Sequence, residues 1–424
     1  MERVRLFGRS RSGTRPGRVV HRRGIPIAAA GAVALATVLA GCSSSHSDSA
    51  NPSGISDNQA QQLNSQQFSA EDAAAKTVLT PEPGSFLAGK TTVSMLASTT
   101  PPNGDVNPYA ILPVTQDTGS LHRGDVLVDN FNASSNKQGT GTTIVNVHPD
   151  KTVSVFAQIP QNLAGCPGGV GLSTAMVQLH SGWVIVGSAP TTDGTMSTAG
   201  AGCLIMLSPT GQVGGTAAGD YLKGPWDAAL SDNGTAPVMF VSNTMNNVPA
   251  SGATVNQGTV VRLNLTEGAA TTPPTVTGHT TIVNALPERN DASALVKGPT
   301  GLALGSDGRL FIADTLDNRI TAVPNALTTT STVATGDVVS SGGQLAQPLA
   351  MAIAPNHNLL VANAENGKIV EVTPAGKQVG EFYAIQNVGQ DPPGNGDLFG
   401  IAVTASGDGL LFVGDDNNDL MVLH

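Results

Sequence analysis

The side chains with the most chemistry in this 424-residue chain are eight histidines, three cysteines and 31 carboxylates. The histidines (His21, His46, His122, His148, His180, His279, His357 and His424) are scattered. No two have metal-ligand spacing, and none sits beside a candidate serine or cysteine nucleophile. There is no G-x-S-x-G elbow, Walker loop or clear dinucleotide fingerprint. The cysteines are Cys42, inside a basic and apolar leader region, and the pair Cys166 and Cys203. Among the carboxylates, Asp227 stands out because it follows Trp226, one of only two tryptophans.

What these groups can do depends on the elements that carry them. Residues 298–323 read GPTGLALGSDGRLFIADTLDNRITAV, with apolar runs Leu302–Leu304, Leu310–Ala313 and Ile320–Val323 split by GSDG and DTLDN. Gly and Asp accept tight-turn backbones, so each gap reads as a strand reversal. The unit is a three-stranded antiparallel meander, with STVAT (331–335) as the candidate fourth strand. Such a sheet cannot bury both faces alone and needs neighbours. The plan recurs over 348–383 and 398–423, and more loosely three times upstream. The copies open at Pro108, Pro167, Pro225, Pro299, Pro348 and Leu398, at intervals of 49 to 74 residues.

Four short strands at that period predict an all-β, six-bladed β-propeller of four-stranded antiparallel blades. The last copy reaches only three strands before His424. The unpartnered run KTTVSMLAST (Lys90–Thr99) is therefore expected to supply its outer strand, so that the two ends of the chain close the ring.

The start of the chain reads as an address. Eight arginines precede the apolar run Ile25–Ala40, which suits the h-region of a signal peptide. It ends in LAGC (Leu39–Cys42), which resembles the lipobox of bacterial lipoproteins and implies cleavage before Cys42 and lipidation of its thiol. The Ser-, Asn- and Gln-rich stretch that follows cannot bury enough apolar surface to offset its chain entropy, so it reads as a disordered tether. The expected order is a lipoprotein signal peptide (1–41), a lipidated Cys42 with its tether (42–88) and a propeller (89–424). The expected place is the extracytoplasmic side of the cell envelope, with the lipid bilayer as partner through Cys42. Removing 1–41 leaves 13 of 21 basic and 30 of 31 acidic residues, a net charge of −17, which disfavours nucleic acid.

In an oxidising compartment a disulfide is the default for Cys166 and Cys203. Both fall at strand openings of the second blade, two strand spacings or roughly 9–10 Å apart. A bond needs Cα atoms within about 7 Å, so the loops must bend inward.

Matching the blade openings gives a ring of positions at the mouth of the central channel: Tyr109, Gly168, Trp226, Thr300, Leu349 and Phe399. The next ring inward is Ala110, Gly169, Asp227, Gly301, Ala350 and Gly400. Three aromatics among six positions, in a chain with 4% aromatic residues, mark the first ring as special. One reading is an apolar funnel with Asp227 as its carboxylate, suited to a sugar or a peptide side chain. The other is a plug that fills the axis. A second column, Asn130, Ser188, Asn243, Asp314, Asn363 and Asp415, ends the second strand of each blade. Its six-fold recurrence reads as a structural turn cap rather than a calcium ring. The run GDDNND (Gly414–Asp419) reads the same way.

GPTGLALGSDGRLFIADTLDNRI resembles an NHL repeat through Pro299, Gly301, Ala303, Asp307, Gly308, Asp314 and Asn318–Ile320. Blades five and six match in part, keeping Asn363 and Asp415, and blades one to three keep the strand rhythm. That resemblance implies a binding scaffold, so the expected function is an interaction module for a protein or small-molecule ligand such as a carbohydrate, without a cofactor. The alternative is a hydrolase similar to the SMP-30/gluconolactonase group, whose blade number it shares. That resemblance implies a divalent metal, Ca²⁺ for instance, held by Glu, Asn and Asp at the channel mouth. The rings here offer one carboxylate, Asp227, so the loops ERND (Glu288–Asp291) and NGD (Asn395–Asp397) would have to contribute. A quinone-dependent sugar dehydrogenase would need cationic and histidine groups on that face, and the ring positions hold none.

Overall fold

The computed structural model describes residues 78–269 and 271–424. The signal peptide, Cys42 and the tether up to residue 77 lie outside them. The described chain forms six antiparallel sheets. Their inner strands are Val106–Pro113, Leu172–Gln178, Pro225–Ser231, Pro299–Leu304, Pro348–Ile353 and Leu398–Val403. Each inner strand packs on the next, and the sixth packs on the first, closing a ring of six blades. Within blades one to five the strands run outward in chain order. Between blades the sheet faces interdigitate. Leu127 and Ile144 of blade one, for example, share a dry layer with Leu172, Val184, Val186 and Ile205 of blade two. Each such side chain contributes about 1.5–3 kcal/mol of burial.

The ring closes as its edges require. Val93–Ser98 pairs antiparallel with Asp419–Leu423 and becomes the outer strand of blade six. The strand expected at 331–335 lies elsewhere. The fourth strand of blade four is Asp337–Ser341, and Val333 instead forms a parallel bridge to Val283 on the outer strand of blade three. That outer strand, Val276–Asp291, is 16 residues long and offers an open edge that STVAT covers. It pairs along the full length of the third strand, Val255–Leu265, out to Val255 opposite Glu288. It then turns back into a short fifth strand, Leu295–Lys297.

Residues 79–88, assigned from composition to the tether, are docked on blade five, and Leu87 is fully buried. The Glu381 amide donates to the Leu79 carbonyl (3.0 Å) and the Glu82 amide to the Val379 carbonyl (2.8 Å), which adds an edge to the outer strand. The buried Glu371 carboxylate then accepts four N–H groups: Phe86 (2.8 Å), Leu87 (2.9 Å), Asn356 Nδ2 (2.9 Å) and Asn358 Nδ2 (2.7 Å). Composition could not show this, because the anchor lies 284 residues away in sequence. Glu371→Leu strands those donors, at about 1–3 kcal/mol for each buried donor left unpaired. Limited proteolysis is expected to cut this variant between residues 78 and 90 under conditions where the parent resists. Unchanged resistance would mean that the strap is held by its apolar contacts alone.

Candidate functional site at the channel mouth

All six inner strands carry a bulge where they enter the ring. Pro299 pairs with Asp314 but Leu302 with Ile312, and the same slip separates Pro108 from Ile111, Pro348 from Met351 and Leu398 from Ile401. In blade three the slip falls between Pro225 and Asp227, and in blade two between Leu172 and Met176. A bulge re-aims the side chains it carries, and here these are the predicted ring positions. Blade two departs from the alignment. Leu172, not Pro167, faces Ser188, so the ring residues are Ser173 and Thr174 rather than Gly168 and Gly169. The extra loop leading to Leu172 holds Cys166 and carries it over to Cys203, at the start of the third strand. The disulfide forms with a Cα–Cα distance of 5.4 Å.

Tyr109, Trp226 and Phe399 meet on the axis. Tyr109 stacks on Phe399 (4.4 Å between centroids) and on Phe131 (4.6 Å), and Trp226 meets both Tyr109 (6.0 Å) and Phe131 (5.5 Å) edge-on. Tyr109 and Trp226 are each 2% exposed and Phe399 is 8% exposed. Leu349 is partly buried against them. Phe131 is the member that ring counting missed, because it belongs to a second strand, two residues beyond Asp129. A roof covers this cluster. Met245, Leu295 and Val296 are buried in it, with Met196, Ala199 and Val248 packed alongside. The Thr191 amide donates to the Gly139 carbonyl (2.8 Å), tying the roof loops of blades one and two. The aromatics therefore form a plug under a roof, not an open funnel.

The polar ring residues are engaged between blades. Ser173 Oγ donates to the Pro225 carbonyl (2.7 Å), Ser242 Oγ to the Thr300 carbonyl (2.7 Å) and Thr315 Oγ1 to the Pro348 carbonyl (2.8 Å). Thr300 itself bonds Thr315 (2.9 Å) in the seam. The Asp227 carboxylate, half-buried, accepts the amides of Ala228 (2.7 Å) and of Leu302 in the next blade (2.9 Å). Desolvation pushes its carboxyl up to about 7 against those two hydrogen bonds. Asp129 accepts the Ala110 amide (2.8 Å) with one oxygen, while its other oxygen is buried with no hydrogen-bond partner. Burial drives that carboxyl up to about 8.

The column at the strand ends is structural, but by a different bond from the one expected. Asn130 donates to the Thr99 carbonyl (3.0 Å), Asn243 to Tyr221 (3.2 Å) and Asn363 to Gln344 (2.8 Å). These side chains clamp the incoming inter-blade loop rather than the turn two residues on. In blade six the register position opposite Leu398 is Gly414, not Asp415.

Of the suspected loops, Glu288 holds the Asn246 amide (3.0 Å), and Asp291 pairs with Lys297 (3.2 Å). Asp397 accepts the Asp416 amide (3.0 Å). Among the described residues no group of three or more His, Cys, Asp or Glu side chains is arranged to hold a metal ion.

No family model matches the chain, and no curated protein sequence matches it. Among solved structures it is similar to a gluconolactonase from Xanthomonas campestris, at 12% identity over 82% of this chain and 95% of that one, with a TM-score of 0.50. It is also similar to streptogramin B lyase (14% identity, 78% and 97% covered, TM-score 0.45). A third is the PQQ-bound aldose sugar dehydrogenase of Streptomyces coelicolor (14% identity, 78% and 97% covered, TM-score 0.43). At such identities the likeness is one of fold. The chain is a six-bladed β-propeller with gluconolactonase-like structural neighbours.

Proposed function

We propose that the protein is a lipid-anchored, extracytoplasmic interaction module that presents its roofed axial face to a protein or carbohydrate partner. The observation that carries this reading is the plug and roof. Tyr109, Phe131, Trp226 and Phe399 fill the mouth, which leaves the loops packed over them as the surface a partner would meet. The NHL-like pattern of blade four supports a binding scaffold, and LAGC at Leu39–Cys42 supports anchoring at a membrane. A metal-dependent lactonase would need oxygen ligands converging on the axis, and here Asp227 is bound to two backbone amides.

The test has two arms on the full chain. A photocrosslinker at Val248 in the roof is expected to capture a partner from native membranes, while one at Val213 on the rim does not. Equal capture from both, or none from the roof, counts against the reading. In the second arm the protein is stripped with EDTA and given Ca²⁺. Specific binding at a hundredfold excess over Kd would stabilise it by about 2.7 kcal/mol. We expect no shift and no lactone hydrolysis. A shift lost in Asp227→Asn would replace the module with the hydrolase. Labelled palmitate is expected to enter the parent but not Cys42→Ala.

A further inference from the structure

On the outer hairpin of blade one, far from the axial plug, the fold assembles three side chains that stand apart in sequence. His148 follows the third strand, Thr143–Val147, and Ser154 lies on the fourth, Val153–Gln158. Asp125 immediately precedes the second, Val126–Asn132. Antiparallel register sets Ser154 opposite Asn146 and Val147 opposite Val126, so the three groups share one face of the sheet. His148 Nδ1 lies 2.9 Å from Asp125 Oδ1, and His148 Nε2 lies 3.0 Å from Ser154 Oγ.

We propose that Asp125, His148 and Ser154 form a nucleophilic relay, with Ser154 as an acyl acceptor for small esters reaching the open rim of the head.

The chemistry of each member fits its place. The buried Asp125 is oriented by two further donors, the His122 amide (2.9 Å) and Asn146 Nδ2 (2.8 Å), both on Oδ2. Oδ1 is thereby left for the imidazole. Desolvation works against ionisation, but the hydrogen bonds from Asn146, His122 and His148 outweigh it and hold the carboxyl below its usual range. A carboxylate on Nδ1 places the proton there and leaves Nε2 as the acceptor for the Ser154 hydroxyl. Ser154 is exposed and reachable, whereas Asp125 is 1% exposed at its side chain and His148 28%. Such constellations are recognised by geometry and not by chain order.

Among the described residues two other serine–histidine contacts exist, Ser94 with His424 (3.0 Å) and Ser306 with His357 (3.5 Å). Among the described residues neither histidine has a carboxylate on its second nitrogen. The edge also supplies a donor for a developing oxyanion. The bond from the His148 amide to the Thr152 carbonyl (2.9 Å) makes that pair hydrogen-bonded. Alternation makes Asn146 and Ser154 the next such pair, which leaves the Val155 N–H facing outward on the open edge.

The reaction balances without a cofactor. Ser154 Oγ attacks the ester carbonyl as its proton passes to His148 Nε2. The ester C–O bond breaks, and the alcohol leaves with that proton. Water then attacks the acyl-serine, giving its proton to His148, which returns it to Ser154 as the carboxylic acid departs. Asp125 is a positioning residue.

The test is labelling of the full chain with an alkyl fluorophosphonate, read by intact mass and peptide mapping, together with p-nitrophenyl acetate hydrolysis. The expected result is a single adduct on Ser154 that is absent from Ser154→Ala, and a labelling rate at least about 100-fold lower in His148→Asn. Thermal unfolding of Ser154→Ala should match the parent, because the side chain is exposed. No adduct on the folded parent, persistence of the adduct in Ser154→Ala, or an unchanged rate in His148→Asn would each overturn the relay. These outcomes are independent of whether the roofed face binds a partner.

Discussion

Tyr109→Ala is expected to lower the unfolding free energy by about 3–5 kcal/mol, the range for truncating a large buried aromatic, with a reduced urea midpoint. Tyr109 is the hub of the plug. It stacks on Phe399 of blade six and Phe131 of blade one, and meets Trp226 of blade three edge-on. Its removal opens a void on the axis, where each wall belongs to a different blade and cannot collapse without shearing a seam. Tyr109→Phe keeps the stacked rings and is expected to cost far less than the alanine variant. If the alanine variant lost less than about 1 kcal/mol, the mouth would be a yielding pocket and the funnel reading would return.

Asp129→Asn is expected to stabilise the protein at alkaline pH and leave it nearly unchanged near pH 4. Asp129 is raised to about 8 in the folded state, from an ordinary value near 4. The folded protein therefore holds this proton more tightly than the unfolded chain. Stability from this group is fully present below about pH 4 and is lost as pH rises from there to about 8. The loss has a slope of at most about 1.4 kcal/mol per pH unit. Asp227 and Glu288, each raised to about 7, act in the same direction. Asp125 and Asp291, held below their usual range, act oppositely and lose stability only in strong acid.

Asparagine suits the site because its neighbour by position already shows the bond required. Ser242, the equivalent residue in blade three, accepts the Asp227 amide (3.0 Å) and donates across the seam to Thr300. Asp129 accepts in the same way, but its second oxygen has nothing to receive. Denaturant titrations at pH 5 and pH 8.5 decide the matter. The parent should weaken between them and the variant should weaken less. Parallel losses would show that Asp129 does not titrate in this window.

The six-fold count, the closure by Lys90–Thr99 and most of the strand pairing were legible in the sequence; the fourth strand of blade four and the fifth of blade three were not. What was legible rests on local signals: period-two apolar runs, turn residues and an unpartnered strand at either end. The seam clamps at Asn130, Asn243 and Asn363 were legible as a repeated structural device, though not as bonds to the preceding loop. The opening positions of the inner strands matched the structure in five blades. In blade two the disulfide loop shifted the frame from Gly168 to Ser173.

Whether Trp226 and Tyr109 make a funnel or a plug was decided only by the tertiary structure. A bulge moves a side chain from one face to another by a single residue, and pattern alone does not place it. The same holds for Glu371 with Phe86 and Leu87, and for Asp125 with His148 and Ser154. Sequence alternation determines which face of a strand is buried. It does not determine which strand, how many residues away, comes to lie against that face. Closing six sheets around one axis brought Tyr109, Trp226 and Phe399 together, strand register within blade one set Asp125 beside His148, and docking of residues 79–88 on blade five brought Phe86 and Leu87 to Glu371.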